Sequence, residues 1–237
     1  MSKVKPSIWP LLFTITGVVL MVGFGTWQLQ RLEWKENLIL QIEEGLKQSP
    51  VALPLLLKGI SEVEYKRYKV TGIFQHDKEM HLFSTNLNGK PGYHIYTPLI
   101  RPNGAPVILN RGWVPEELKE QESRQGGLTK GLVTLNGIAR LSRARTMFVP
   151  ENNIKSNRWY YANIGEMATA SSLETVVPIF LEAESTSGDF NWPRGGITRV
   201  NLPNRHLEYV FTWYSFATTL LVIFILFRRK QKMEMDE

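Results

Sequence analysis

The amino-acid sequence predicts a membrane protein in which two transmembrane α-helices flank a β-rich α+β extramembrane domain. Two long uncharged runs lie near the two ends of the 237-residue chain. The stretch between them is rich in β-branched and aromatic residues and is punctuated by glycine and proline. Short strands joined by turns, with little helix between them, favour one antiparallel domain that is barrel-like or sandwich-like.

The second uncharged run, residues 209–227, is the clearer of the two transmembrane predictions. At about 1.5 Å per residue it spans roughly 28 Å as a helix, close to the hydrocarbon thickness of a bilayer. A basic cluster at residues 228–232 follows it at once. Tyr209, Trp213 and Tyr214 lie at its start, where an interfacial belt of aromatic side chains is expected.

The first uncharged run, residues 8–29, predicts the other transmembrane helix. Only threonine, glycine, Pro10 and Gln28 interrupt its apolar residues. It is too long for the apolar region of a signal peptide, and no small-x-small cleavage site follows it. We therefore expect an uncleaved anchor, with Trp9 and Trp27 at its two interfaces.

The flanking charges predict the topology. Basic residues precede the first span and follow the second, so residues 1–7 and the basic tail at 228–237 are expected in the cytoplasm. Residues 30–208 then form a periplasmic domain. Seven residues before the first span are too few for a mitochondrial transit peptide, which favours the bacterial inner membrane.

Composition excludes several classes of function. The chain has no cysteine, which excludes disulfides, thiol catalysis and thiolate metal sites. Much of the net charge of +6 comes from residues beside the two spans, and no basic stripe alternates with aromatics, so nucleic acid is not an expected partner. No G-x-S-x-G, H-E-x-x-H, P-loop or complete G-x-G-x-x-G motif is present, and we expect no enzyme.

Seven strands are predicted in the domain, at residues 65–75, 79–85, 93–100, 106–114, 132–140, 159–164 and 178–184. Gly72 is expected to mark a bulge or bend in the first of them. The first transmembrane helix is expected to continue through residues 31–47, and a short helix is expected near residues 165–173. Residues 115–130 predict a loop or short helix, and residues 185–203 a glycine- and proline-rich return to the membrane.

His206 is the sharpest candidate for a functional residue. It lies three and seven residues before Tyr209 and Trp213, so the three side chains share one helix face. A histidine there could bind a haem iron. The alternative is an interfacial histidine that caps the helix and faces lipid headgroups, and the residues alone favour this second interpretation.

The end of the first span carries a matching set of side chains. Arg31 and Lys35 are four residues apart, close to Trp27, and such cations could pair with the propionates of a membrane-embedded haem. Ordinary interfacial anchoring by tryptophan and by snorkelling cations explains them too, and the residues alone favour that explanation.

Two further clusters lie in the domain. His76 and His81, with Asp77 and Glu79, could bind a metal, but the spacing matches no standard zinc motif and a charged turn explains it better. Arg111 and Trp113 could form a partner-binding surface. A packed tryptophan beside a glycine bulge at a strand end explains that pair equally well.

Six stretches of the chain, taken together, carry a resemblance to a known family. They are GTWQLQR at residues 25–31 with Trp34 and Lys35, YKVTGIF at 68–74, GYHIYTP at 92–98, VILNRGWV at 107–114, NRWY at 157–160 and NRHLEYVFTWYSFA at 204–217. In these stretches and in their order, the chain resembles the surfeit locus protein 1 family of cytochrome c oxidase assembly factors.

The resemblance implies a two-span protein that helps to mature the haem-containing subunit of an aa3-type oxidase. Bacterial members are expected to bind haem a through a histidine at the start of the second span, and only His206 matches that position. This reverses the interpretation of His206. Tyr209 and Trp213 would flank the macrocycle, and Trp27, Arg31 or Lys35 would close the pocket or pair with propionates.

The implied partners are the oxidase core subunit, haem a synthase and membrane lipid, and a homo-oligomer stays open. The alternative is a scaffold without cofactor, which would hold the core subunit during assembly through the domain face that bears Arg111 and Trp113.

Overall fold

The computed structural model describes residues 8–55, 57, 59–86, 88–185, 192–196 and 204–236. The chain forms two compact units. One combines the N-terminal residues up to Gln41 with the C-terminal residues from Asn201, and the other is the domain Ile42–Val200. The described residues form three α-helices: α1 (Trp9–Lys47), α2 (Ile164–Ala170) and α3 (His206–Asp236).

The first unit consists of two long helices, and both are long and apolar enough to cross a membrane. In α1 the only proline, Pro10, lies in the first turn, where a missing backbone N–H costs no helical hydrogen bond. The predicted continuation of this helix to Lys47 is confirmed. Helix α3 is longer than the apolar run 209–227 at both ends.

The two long helices pack antiparallel through small residues. A Cβ atom at Gly17 would lie 2.8 Å from Cδ2 of Leu220, and one at Gly25 would lie 2.9 Å from Cε1 of Tyr214. Val210 and Ala217, four residues before and three after Tyr214, are buried. Small residues let helix backbones approach closely, which is how helices associate where surrounding lipid is as apolar as their side chains.

The domain is built around a closed barrel of five strands. Eight strands form one sheet in the order β1-β2-β6-β8-β5-β4-β3-β7, and an additional pairing of β2 with β4 closes a ring of β2, β6, β8, β5 and β4. The strands are β1 (Val51–Ala52), β2 (Arg67–Phe74), β3 (Met80–Thr85), β4 (Pro91–Ile100), β5 (Val107–Pro115), β6 (Leu132–Arg140), β7 (Arg158–Trp159) and β8 (Phe180–Ala183).

The barrel closes along β2, because this strand pairs with different strands at its two ends. Its start pairs with β1 at Tyr68 and Lys69, and its end pairs with β4, with Ile73 opposite Ile100. Gly72 lies just before the two residues of β2 that pair with β4, and a Cβ atom there would lie 2.5 Å from the carbonyl oxygen of Ile100. The absence of a side chain at Gly72 therefore permits the closure.

Several expectations from the sequence need correction. Gly72 forms no bulge, because the register of β2 with β6 is continuous through the pair Gly72–Val133. The sheet also has three parallel pairs: β1–β2 between consecutive strands, and β3–β7 and β5–β8 between strands distant in sequence. The predicted strand 159–164 shrinks to Arg158–Trp159, because the Asn152 side chain accepts the backbone N–H of Tyr160 at 2.8 Å in place of a strand partner.

The other predicted elements are confirmed with small shifts in their bounds, including the short helix, the hairpin of β4 and β5, and the turn before β3. Residues 115–130 contain two 3-10 helices, Glu116–Leu118 and Gln121–Gly127. Most of the predicted return segment, residues 186–191 and 197–203, lies outside the described residues.

Alternate residues of the central strands serve two hydrophobic clusters. In β5, Val107 and Leu109 pack with Leu99 and Leu181 in the larger cluster. Ile108 points to the second cluster, in which Met80, Tyr96, Trp159, Met167 and Phe180 pack together. Because side chains alternate across a strand, β5 and β8 are buried on both faces.

We expect Gly72→Ala to lower the free energy of unfolding of the domain by about 1–3 kcal/mol, because a methyl group must displace the β4 backbone. Urea unfolding of the full chain in detergent, followed by tryptophan fluorescence, measures it. The matched control is Gly165→Ala in α2, where the nearest atom to a new Cβ is 3.4 Å away. Equal stability of the two variants would contradict this account of closure.

Candidate site in the helix pair and the domain

His206 is the first residue of α3 and is half-buried. Its Nδ1 atom lies 2.7 Å from Oε1 of Gln28 on α1. Gln28 interrupts an otherwise apolar helix, and its side chain is half-buried as well. The structure therefore joins the histidine of the second helix to the one amide side chain of the uncharged run 8–29.

Aromatic rings continue from His206 along the helix pair. Trp213 lies against Phe24 of α1, with ring centroids 4.9 Å apart and planes 31° apart, and Phe216 meets the edge of Trp213. Tyr209 is 52% exposed. Of the two aromatics expected beside His206, Trp213 thus faces the other helix, and Tyr209 lies on an outward flank.

The three α1 residues predicted beside the site divide between two stripes of the helix. Trp27 and Arg31 are exposed, and the Arg31 guanidinium lies 4.4 Å from the ring centroid of Trp34. Lys35 is half-buried and lies seven residues, or about two turns, after Gln28 on the same stripe. Two cationic side chains therefore follow Gln28 along α1.

The domain contains a buried carboxylate, that of Glu79. Glu79 Oε1 accepts hydrogen bonds from Arg124 Nη2 and, at 2.9 Å, from His81 Nε2. The side chains of Glu79 and Arg124 are each 1% exposed. Burial alone would raise the pKa of Glu79, but the bonds from His81 and Arg124 outweigh it and hold the pKa below its ordinary value.

Arg124 is fixed by its surroundings as well as by Glu79. Its Nε donates to the carbonyl oxygen of Leu118 at 2.9 Å, and Nη2 donates to that of Lys119 at 3.2 Å. The buried ion pair therefore ties the irregular 3-10 segment after β5 to the start of β3.

The two histidines of the predicted metal cluster each lie within hydrogen-bond distance of an oxygen atom of the domain. His76 Nε2 lies 2.9 Å from the carbonyl oxygen of Thr129, and burial lowers the pKa of this imidazole. His81 is bound to Glu79. Among the residues that the structure describes, no three His, Cys, Asp or Glu side chains come together. The turn predicted before β3 is present, since residues His76–Lys78 form a 3-10 turn.

Arg111 and Trp113 flank a β-bulge. His94 pairs with Trp113 and Tyr96 pairs with Asn110, so β5 has one residue more than β4 between these pairs. Gly112 has a φ of +124°, and its N–H donates to the Asn110 side chain at 3.0 Å. The expected glycine bulge is therefore present.

The bulge sends the two neighbouring side chains to different surroundings. Trp113 is 5% exposed, which favours the packing interpretation for this residue. Arg111 donates to the carbonyl oxygen of Gly127 and lies 4.7 Å from the ring centroid of Phe74. Burial lowers the pKa of its guanidinium to about 10.

Comparison with known proteins identifies the family. A sequence model of the SURF1 family matches residues 15–218. Surfeit locus protein 1 of Gallus gallus is 37% identical over 215 residues, which cover 83% of this chain and 69% of the relative. The protein of that name from Homo sapiens is 37% identical over 217 residues, 84% of this chain and 71% of the relative.

The chain belongs to the SURF1 family. A SURF1-like protein of Monosiga brevicollis extends the likeness further, at 35% identity over 224 residues, 90% of this chain and 85% of the relative. The SURF1 family is known for cytochrome oxidase assembly and is generally non-catalytic. The matched region covers the whole described domain, most of α1 and the first part of α3.

Three features of this SURF1 chain were not predicted as site residues. Gln28 stood out in the sequence only as a polar interruption of the first span, although a polar side chain there is a signal for function. The Glu79–Arg124 pair joins residues 45 positions apart, and no local pattern links them. Phe24 was likewise indistinguishable from the other apolar residues of its helix.

We expect Gly25→Val to weaken the helix pair, since its side chain would collide with the Tyr214 ring. The measurement is the yield of crosslinking by a bifunctional maleimide between Gly17→Cys and Leu220→Cys, in a chain with no other cysteine. The control is Gly23→Val, because no atom lies within 4 Å of a Cβ there. We expect a several-fold lower yield for Gly25→Val only, and equal yields would refute close packing at Gly25.

We expect Arg124→Met to lower the free energy of unfolding by about 3–5 kcal/mol, because it leaves a carboxylate buried beside a single histidine. Urea unfolding at pH 7 measures this. Arg145→Met is the matched control, since Arg145 and Glu151 form an exposed pair worth about 1 kcal/mol or less.

Acid should weaken the stabilising effect of the Glu79–Arg124 pair. Because the pKa of Glu79 is lowered in the folded state, its stabilising effect is complete above the ordinary value of 4.5 and is lost as pH falls through the folded pKa. When the pH is lowered from 5 to about 3, the free energy of unfolding should therefore fall less in Arg124→Met than in the parent chain. A parallel loss in both would argue against this pair as the acid-sensitive element.

Proposed function

We propose that this protein holds haem a at the outer membrane interface and assists its insertion into the core subunit of an aa3-type cytochrome c oxidase. The observation that carries the proposal is the placement of His206. Its imidazole is held by a polar partner from the other helix, at one end of an apolar helix pair. Membership of the SURF1 family supports the link to oxidase assembly.

The residues present fit a haem better than a metal ion bound by protein alone. A free metal ion needs several side-chain ligands, and the described residues offer no cluster of three. A haem iron already has four porphyrin nitrogens, so one imidazole on the protein suffices as an axial ligand. When bound, haem a supplies the iron centre, and the chain supplies binding, orientation and exclusion of water.

The remaining predicted residues have complementary roles in this proposal. Trp213, and Tyr209 on its outward flank, provide apolar surface for the macrocycle. Arg31 and Lys35 can pair with the propionates, and Trp27 helps to close the pocket. His206 is the only histidine of the two helices. Water, a partner protein or a second copy of the chain would therefore provide a sixth ligand.

The setting of this function is proposed from charge and length. The protein would lie in a bacterial inner membrane with both termini in the cytoplasm and the β-rich domain in the periplasm. Haem a synthase would supply the cofactor, the core subunit would accept it, and lipid would surround the helices. Haem a is apolar, so a carrier at the bilayer surface keeps it out of bulk water between these two partners.

We expect His206→Ala to lose bound haem a while it still folds and inserts. The protein is purified in detergent from cells that also make haem a synthase, and the Soret and alpha bands are compared per mole of protein. The lost iron ligand should reduce bound haem at least about tenfold. His76→Ala is the control, because that histidine bonds to a carbonyl oxygen in the domain.

The outcomes separate the proposal from its alternative. A parent protein without haem a, despite a working synthase, would refute the carrier and leave the cofactor-free scaffold. In that case His206→Ala would be silent, and substitutions at Arg111 or Trp113 would abolish capture of the core subunit.

A further inference from the structure

We infer that Gln28 is a positioning residue for His206, whose side-chain carbonyl fixes the imidazole as the Nδ1–H tautomer and keeps the Nε2 lone pair for a metal. The inference rests on the proposed function for the identity of that metal, a haem iron. The tautomer itself follows from the contact between the two side chains and can be tested without haem.

The contact dictates which nitrogen carries the proton. The Oε1 atom of Gln28 is a carbonyl oxygen and can only accept a hydrogen bond, and it lies 2.7 Å from Nδ1 of His206. Nδ1 must therefore be the donor. A neutral imidazole has one N–H, so Nε2 is left as a lone-pair atom, and this is the form in which histidine binds metals.

The helix packing holds the two side chains at this separation. Gln28 lies three residues after Gly25, and His206 lies eight residues before Tyr214, so both are within about two turns of the close contact between Gly25 and Tyr214. Because Gly25 has no side chain, the Tyr214 ring sets the distance between the backbones there. The Tyr214 hydroxyl and the Thr26 hydroxyl are 3.3 Å apart, which adds a polar contact at the same level.

Gln28 is the one amide side chain of the uncharged run 8–29. Gln28 belongs to a run in which all other residues from 8 to 29 are apolar, glycine, proline or threonine. A polar group near hydrocarbon costs free energy unless it is hydrogen-bonded. The bond to His206 satisfies its carbonyl and at the same time orients the imidazole.

A hydrogen-bond partner at Nδ1 of a histidine changes how well its Nε2 atom binds a metal. Such a partner fixes the ring orientation and raises the basicity of the ligating nitrogen, and its loss typically lowers metal affinity by about 10- to 100-fold. Gln28→Leu should therefore weaken haem a binding by about that factor while the ligand itself is retained. Gln28→Glu keeps an acceptor and should retain binding, with a lower midpoint potential of the bound haem.

The first test uses the full-length chain without haem, labelled with 15N in its histidine rings, in detergent at a pH where imidazole is neutral. The His206 signals are assigned by their loss in His206→Ala. We expect a protonated Nδ1 and an unprotonated Nε2 in the parent and in Gln28→Glu. In Gln28→Leu the population of the Nδ1–H tautomer should fall.

Gln30→Leu is the matched control, since Gln30 lies two residues further along the same helix and is exposed. It should leave the tautomer unchanged. A parent protein with the proton on Nε2 would mean that the amide nitrogen of Gln28 faces His206, and would overturn the inference. The same tautomer in the parent and in Gln28→Leu would overturn it too.

The second test adds haem a and compares affinity, spectrum and midpoint potential in the same variants. Weaker binding in Gln28→Leu, with rescue by Gln28→Glu, supports the positioning role. If the parent binds haem and Gln28→Leu binds it equally well with the same potential, the role is refuted. If the parent binds no haem, the proposed function fails, and the NMR result still decides the tautomer.

Discussion

The close approach of α1 and α3 is the constraint on which the candidate site depends. Glycine at positions 17 and 25 leaves room for Leu220 and Tyr214, so the two backbones come near enough for polar side chains to meet. The pair of Gln28 and His206 follows from that approach. With a larger residue at position 25, the amide and the imidazole would move apart, and each would need another partner.

The domain accommodates its buried polar groups through a β-bulge and an ion pair. Its barrel buries β5 on both faces, and the bulge at Gly112 lets one short stretch turn Arg111 and Trp113 to different surroundings. The Glu79–Arg124 pair fixes the 3-10 segment where no regular strand continues. In this way the barrel and the 3-10 segment each bury polar groups with a hydrogen-bond partner inside the domain.

The hydrogen-bond partner of each histidine determines which of its ring nitrogens is available. His76 lies in a 3-10 turn and His81 lies in β3, and each is bound to a neighbouring oxygen atom of the domain. His206 is bound through Nδ1 to an amide that can only accept there, so its second nitrogen is the basic one. In the proposed function, a single imidazole with this arrangement would hold a cofactor that already carries most of its own ligands.

The sequence by itself determined the two apolar helices and most strands, and it singled out His206 as a candidate, because hydrophobic runs, turn residues and family motifs are local signals. Only the tertiary structure decided that the barrel closes at Gly72, that β8 pairs parallel to β5, and that Gln28 is the partner of His206. Each of these is a contact between residues far apart in the chain. Local pattern carries no information on such a contact, because it exists only once packing has brought the two backbones together.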